Sequence, residues 1–154
     1  MRGLRRHTLA IMGILVLQFL VGMWVNLYTA IPAHHPGMSP DYFAGVVGGV
    51  VWSLGAGAFG LRLHVILGLL LGLMGIAHLA RVLRDRSQSP WGWSVLGLCG
   101  LVGAGANGVS FLNYGRDFSS LLMSVGFALA LIGYGMAMTP GRTAPVRATQ
   151  QRRS

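Results

Sequence analysis

The chain has 154 residues, 53% of them hydrophobic, with twelve arginines, three aspartates and neither lysine nor glutamate. Charged residues make up 10% of it, against about 25% in a typical soluble domain, so an ordinary water-exposed globule is excluded. The formal net charge of +9 does not signal nucleic-acid binding, because the arginines flank apolar runs and form no basic stripe.

The first apolar run covers residues 8–30 and follows Arg2, Arg5 and Arg6. It is too long for a signal-peptide core, and Pro32 spoils a small-residue cleavage site, so it reads as an uncleaved membrane span. Trp24 and Tyr28 stand near its far end, where amphipathic rings favour the interface. Residues 31–41 hold three prolines and a glycine (I-P-A-H-H-P-G-M-S-P-D) and read as a loop. Residues 42–61 are uncharged but carry six glycines, at 45, 48, 49, 55, 57 and 60. Residues 63–80, 94–112 and 118–138 complete the strong apolar runs. A turn at 87–90, Trp91 and Trp93 separate the first two of these, and a short turn at 113–117 separates the last two. Residues 139–154 read as a disordered basic tail. Cys99 lies inside an apolar run and reads as a small packing residue.

Arginine placement decides whether 42–61 spans. With four spans and 42–61 held in the outer interface or re-entrant, ten of the twelve arginines fall on one side, leaving Arg62 and Arg116 on the other. A fifth span would put Arg81, Arg84, Arg86 and the tail outside, against the positive-inside rule. The sequence therefore predicts an all-α, glycine-rich, integral-membrane four-helix bundle in one domain. It also predicts cytoplasmic termini in a bacterial inner (plasma) membrane, with the bilayer as solvent. Small-residue faces at Gly68, Gly72 and Gly75, along 97–108, and at Gly126 and Ala130 predict close helix packing. Backbone approach is expected around Gly72 and Gly103.

Ionisable side chains are costly in lipid, so each calls for a reason. The topology gathers His34, His35, Asp41, Arg62, His64, Asn107, Asn113, Arg116 and Asp117 at the outer face. It leaves His7, His78 and Asp85 with the inner arginines. One reading is an outer site: His64, Arg62 and Asp117, with His34 or His35, in a pocket closed by 42–61. The other is a polar cap where loops meet water. His34, His35 and Met38, with His64, form a possible copper or zinc set, although no C-x-x-C or H-x-x-x-H is present. Gln18, deep in the first span, is either a quinone contact or an interhelical hydrogen bond.

His64 and His78 are 14 residues apart, so they point within about 40° of one another and lie about 21 Å apart along a helix. This spacing resembles the di-haem cytochromes b, in which one helix gives a histidine to a haem in each leaflet. The resemblance implies haem b, with His64 and His78 as ligands, His34 or His35 and His7 as partners at matching depths, and Arg62 beside a propionate. More broadly, N-L-Y-T-A-I-P-A-H-H-P-G (26–37), L-H-V-I-L-G-L-L-L (63–71) and N-G-V-S-F-L-N-Y-G-R-D-F-S-S (107–120) resemble small bacterial multi-span proteins without an assigned function. Three functions compete: a haem-b electron carrier, a non-catalytic subunit or scaffold in a homo-oligomer or larger membrane complex, and an outer-face metal binder.

Overall fold

The computed structural model describes residues 2–84 and 91–139. Five helices follow in chain order: α1 (Arg2–Tyr28), α2 (Tyr42–Gly55), α3 (Phe59–Arg84), α4 (Trp91–Tyr114) and α5 (Asp117–Ala137). Four of them, α1, α3, α4 and α5, are long and apolar enough to cross a membrane. The chain is thus an all-α multi-pass membrane protein. At about 1.5 Å per residue each exceeds the roughly 30 Å of bilayer hydrocarbon. Large apolar side chains such as Leu20, Leu73, Val102 and Ile132 point outward from the bundle, as lipid demands. The expected tail beyond 139 and the turn at 87–90 lie outside the described residues.

The spans run longer at the start than the apolar runs predict. α1 begins at Arg2, so His7 is a helical residue one turn or more inside it; it does not precede the span. α3 begins at Phe59 and α4 at Trp91. The added residues, polar in α1 and mostly apolar or aromatic in α3 and α4, join the helices because helical hydrogen bonding satisfies their backbone groups in the interface.

Neighbouring spans are antiparallel. His7 of α1 meets Met74 of α3, while Gln18 meets His64. His78 near the end of α3 meets Ser94 near the start of α4. Gly115, at φ 62°, gives the tight turn into α5, a backbone state that costs glycine nothing. Two core clusters stack along the bundle: Ile11, Leu15, Leu71, Ala130 and Tyr134, and Val21, Val25, Leu61, Leu67 and Leu112. The end of the bundle holding Arg2 and Thr139 is termed the terminal face, and the opposite end the α2 face.

α2 does not cross. Its first turn lies under Asn113 at the end of α4, and only three residues separate its last residue from α3. Both ends therefore belong to one face. Asp41 caps it, accepting from the Ala44 amide at 2.7 Å.

α4 and α5 form the most extensive helix pair. A methyl placed on Gly100 would lie 2.5 Å from the Ala130 nitrogen, and one on Gly126 would lie 2.7 Å from the Ala104 nitrogen. Gly133 likewise faces the backbone of Gly97. The expected approach at Gly72 and Gly103 is corrected: neither has any neighbour within 4 Å of a built methyl. Helical rotation explains the difference, since Gly97, Gly100 and Ala104 occupy one face of α4 and Gly103 stands about 100° away from Ala104.

Gly100→Leu should therefore lower unfolding stability in detergent by about 1–3 kcal/mol or more, through overpacking against backbone that cannot yield. Gly103→Leu should leave the unfolding transition almost unmoved. Thermal or denaturant unfolding of the two variants side by side checks this.

Candidate functional site

The terminal face holds the most buried polar group. His78 is 1% exposed, and its Nε2 shares a hydrogen bond with Ser94 Oγ at 3.2 Å. His7 stacks on it, with ring centroids 5.8 Å apart and planes 4° apart. The His7 Nε2–H donates to the Met74 carbonyl at 3.1 Å. Tyr134 meets His78 edge-on at 5.5 Å and is fully buried. Glycines make this possible: a methyl on Gly75 would lie 2.7 Å from the Tyr134 hydroxyl, and one on Gly97 would lie 2.9 Å from its ring. Four spans thus converge on one imidazole. His78 Nδ1 and the Tyr134 hydroxyl are buried without hydrogen-bond partners, each costing about 1–3 kcal/mol.

The second polar group joins α1 to α3 nearer the α2 face. The Gln18 amide donates to His64 Nε2 at 3.3 Å. Gly22 supplies the room, since a methyl there would lie 2.8 Å from His64 Cε1. Gln18 therefore makes the interhelical bond, the alternative to a quinone contact. His64 Nδ1 and Gln18 Oε1 are buried and unpartnered.

On the α2 face the expected single pocket does not assemble. Arg62 Nη2 donates to the carbonyls of Gly55 at 3.1 Å and Gly57 at 3.4 Å, so it closes the end of α2, where carbonyls lack helical donors. His35 is buried and stacks on Trp52 at 4.0 Å. Its Nε2–H donates to the Leu112 carbonyl at 3.1 Å, and its Nδ1 accepts from the Gly37 amide at 3.2 Å. Both ring nitrogens are thereby used. Asn113 grips the loop with two bonds to Ser39: its Oδ1 accepts from the Ser39 amide and its Nδ2 donates to the Ser39 carbonyl, each at 2.9 Å. Asn107 bonds within its own helix, to the Gly103 carbonyl at 2.8 Å. Arg116 lies 5.6 Å over the Tyr114 ring. His34, Asp41 and Asp117 are exposed.

The physical reason is that helix ends present unpaired backbone carbonyls, and Arg62 and His35 satisfy them at less cost than a shared buried ion pair. An open groove of about 280 Å³ is lined by Met38, Ser39, Pro40, Asn113 and Tyr114; none of the histidines faces it.

No family model, curated protein or solved structure matches this chain. Function is read from the residues themselves. Bis-imidazole haem needs two donor nitrogens aimed at one another across the iron. His7 and His78 instead lie ring on ring, and His64 faces an amide, with His35 engaged elsewhere. Arg62, implied as a propionate partner, is spent on carbonyls. No two of these imidazoles stand as a facing pair of axial ligands. Among the described residues no three His, Cys, Asp or Glu side chains converge as a metal set. His34 and His35 diverge, one exposed and one buried.

Sequence reading singled out neither Ser94 nor Tyr134. The available signal was Tyr134 itself, a hydroxyl-bearing ring inside a span and flanked by Gly133 and Gly135.

Proposed function

We propose that the chain is a non-catalytic membrane component, a scaffold or a subunit of a larger membrane assembly, whose polar interior serves to hold its own helices in register. The observation that carries this reading is the use made of the histidines. Of five, His7 ties α1 to α3, His64 ties α3 to α1, His78 ties α3 to α4, and His35 ties the 29–41 loop to α4. A ligand or general base needs a free nitrogen facing space for a substrate. Here one nitrogen of each of these rings is already bonded to another part of the chain.

Haem-b binding with membrane electron transfer is the competing reading. It is favoured by the His64–His78 spacing and by their partnerless Nδ1 atoms. A visible absorption spectrum separates the two. Protein purified from haem-replete cells should show no Soret band under the scaffold reading. A sharp Soret band with split ferrous visible bands, lost in His64→Ala or His78→Ala, would replace it with the redox reading.

For orientation we propose cytoplasmic termini in the inner membrane of a bacterium. The support is the grouping of Arg5, Arg6, Arg81 and Arg84 at the terminal face, with Arg142, Arg147, Arg152 and Arg153 following in sequence. A reporter fused after Ser154 should be active only in the cytoplasmic compartment, and activity on the far side would reverse the assignment.

A further inference from the structure

α2 is too short to span, at 14 residues or about 21 Å, yet it has none of the chemistry of a helix resting on a membrane surface. Not one charged residue lies between Asp41 and Arg62. An interfacial helix carries a strongly polar or charged face toward water. The two faces of α2 differ in size, not polarity. Gly45, Gly49 and Ser53 form the buried face. Phe43, Val47 and Val51 form the outward one and are 76%, 63% and 64% exposed.

Its depth follows from its neighbours. Gly45 lies under Asn113, and Gly49 packs beside Leu112 and Val109, so the helix descends along the last turns of α4. Trp52 packs against the cluster of Val21, Val25, Leu61, Leu67 and Leu112 and stacks on His35. The Ser53 hydroxyl returns to the Gly49 carbonyl at 2.7 Å, leaving that face without an unmet donor. The chain climbs back through Gly57, where Arg62 meets the free carbonyls.

We infer that α2 is a half-membrane wedge, sunk into the hydrocarbon of one leaflet with its Phe43–Val47–Val51 face on acyl chains. A second copy of the chain is a poor occupant. The stripe is about 21 Å long and about 10 Å wide, roughly 200 Å², against about 800 Å² per partner in a stable protein interface. The consequence is a tapered molecule. Five helices occupy the α2-side leaflet and four the other, so the cross-section is about a quarter larger on that side. The surface this shape fits is a bilayer whose α2-side leaflet is stretched, that is, convex toward the α2 face. This inference does not depend on the scaffold reading.

The test uses the full-length chain with Cys99→Ser, reconstituted in phosphatidylcholine vesicles and spin-labelled at Val47→Cys or, separately, at Val51→Cys. The expected result is a mobile label reached by oxygen and shielded from a water-soluble nickel chelate. Access to the nickel chelate would place α2 on the water surface and overturn the inference. A label immobilised and shielded from both reagents would mean that protein covers the face, and would overturn it equally. In membrane tubes drawn from giant vesicles, protein with α2 facing outward should be enriched over the parent vesicle, and protein facing inward depleted. Equal density in tube and vesicle for both orientations would refute the wedge.

Discussion

Inside a bilayer there is no water to accept a hydrogen bond that the protein leaves unmade, and that constraint accounts for most of what this chain does with its polar residues. Each buried imidazole must find its partner on another part of the same chain. His7, His64 and His78 do so across helix boundaries, and each bond fixes both the rotation and the depth of two spans. Tetherings of this kind are worth modest energy, about 0.6 kcal/mol on average where measured in membrane proteins. Their weight lies in specificity, because a helix turned by one residue would leave an imidazole facing hydrocarbon.

Glycine supplies the space in which those side chains meet. The α4–α5 contact is backbone against backbone at Gly97, Gly100, Gly126 and Gly133, and dispersion across so close an approach drives association where no hydrophobic effect operates. At other positions glycine makes room for one side chain. Gly22 accommodates His64, Gly45 accommodates Asn113, and Gly75 with Gly97 accommodate Tyr134. Glycine packing and polar bonding are thus coupled: a methyl at Gly22 would push His64 away from Gln18. Glycine's usual cost in a helix, about 1 kcal/mol relative to alanine, is offset by contacts that no larger residue permits.

The architecture was largely legible in the sequence. Apolar run length located the four spans, and the arginine distribution kept 42–61 from crossing. The faces were less legible. Glycines recur so densely along 97–108 that several helical faces looked small, and only the partner helix selects Gly97, Gly100 and Ala104 over Gly103. Among the described residues the polar side chains fall into separate groups that the sequence did not distinguish. Composition puts Arg62, His35, Asp117 and Asn113 at one face, but it cannot show that Arg62 goes to the carbonyls at the end of α2, His35 to the Leu112 carbonyl and Asn113 to Ser39, while Asp117 stays exposed. The pairing of Gln18 with His64 was readable only as a general preference for interhelical bonds, because the register between α1 and α3 depends on the loop and α2 that lie between them.

The central claim is that the intramembrane histidines act as ties between helices, and the Gln18–His64 pair tests it most directly. A double-mutant cycle with Gln18→Leu, His64→Leu and both together, read by unfolding in detergent, isolates their interaction from the packing of each. The account predicts a favourable coupling of about 0.6 kcal/mol, and at most about 1.7 kcal/mol. Strict additivity of the two substitutions would contradict it.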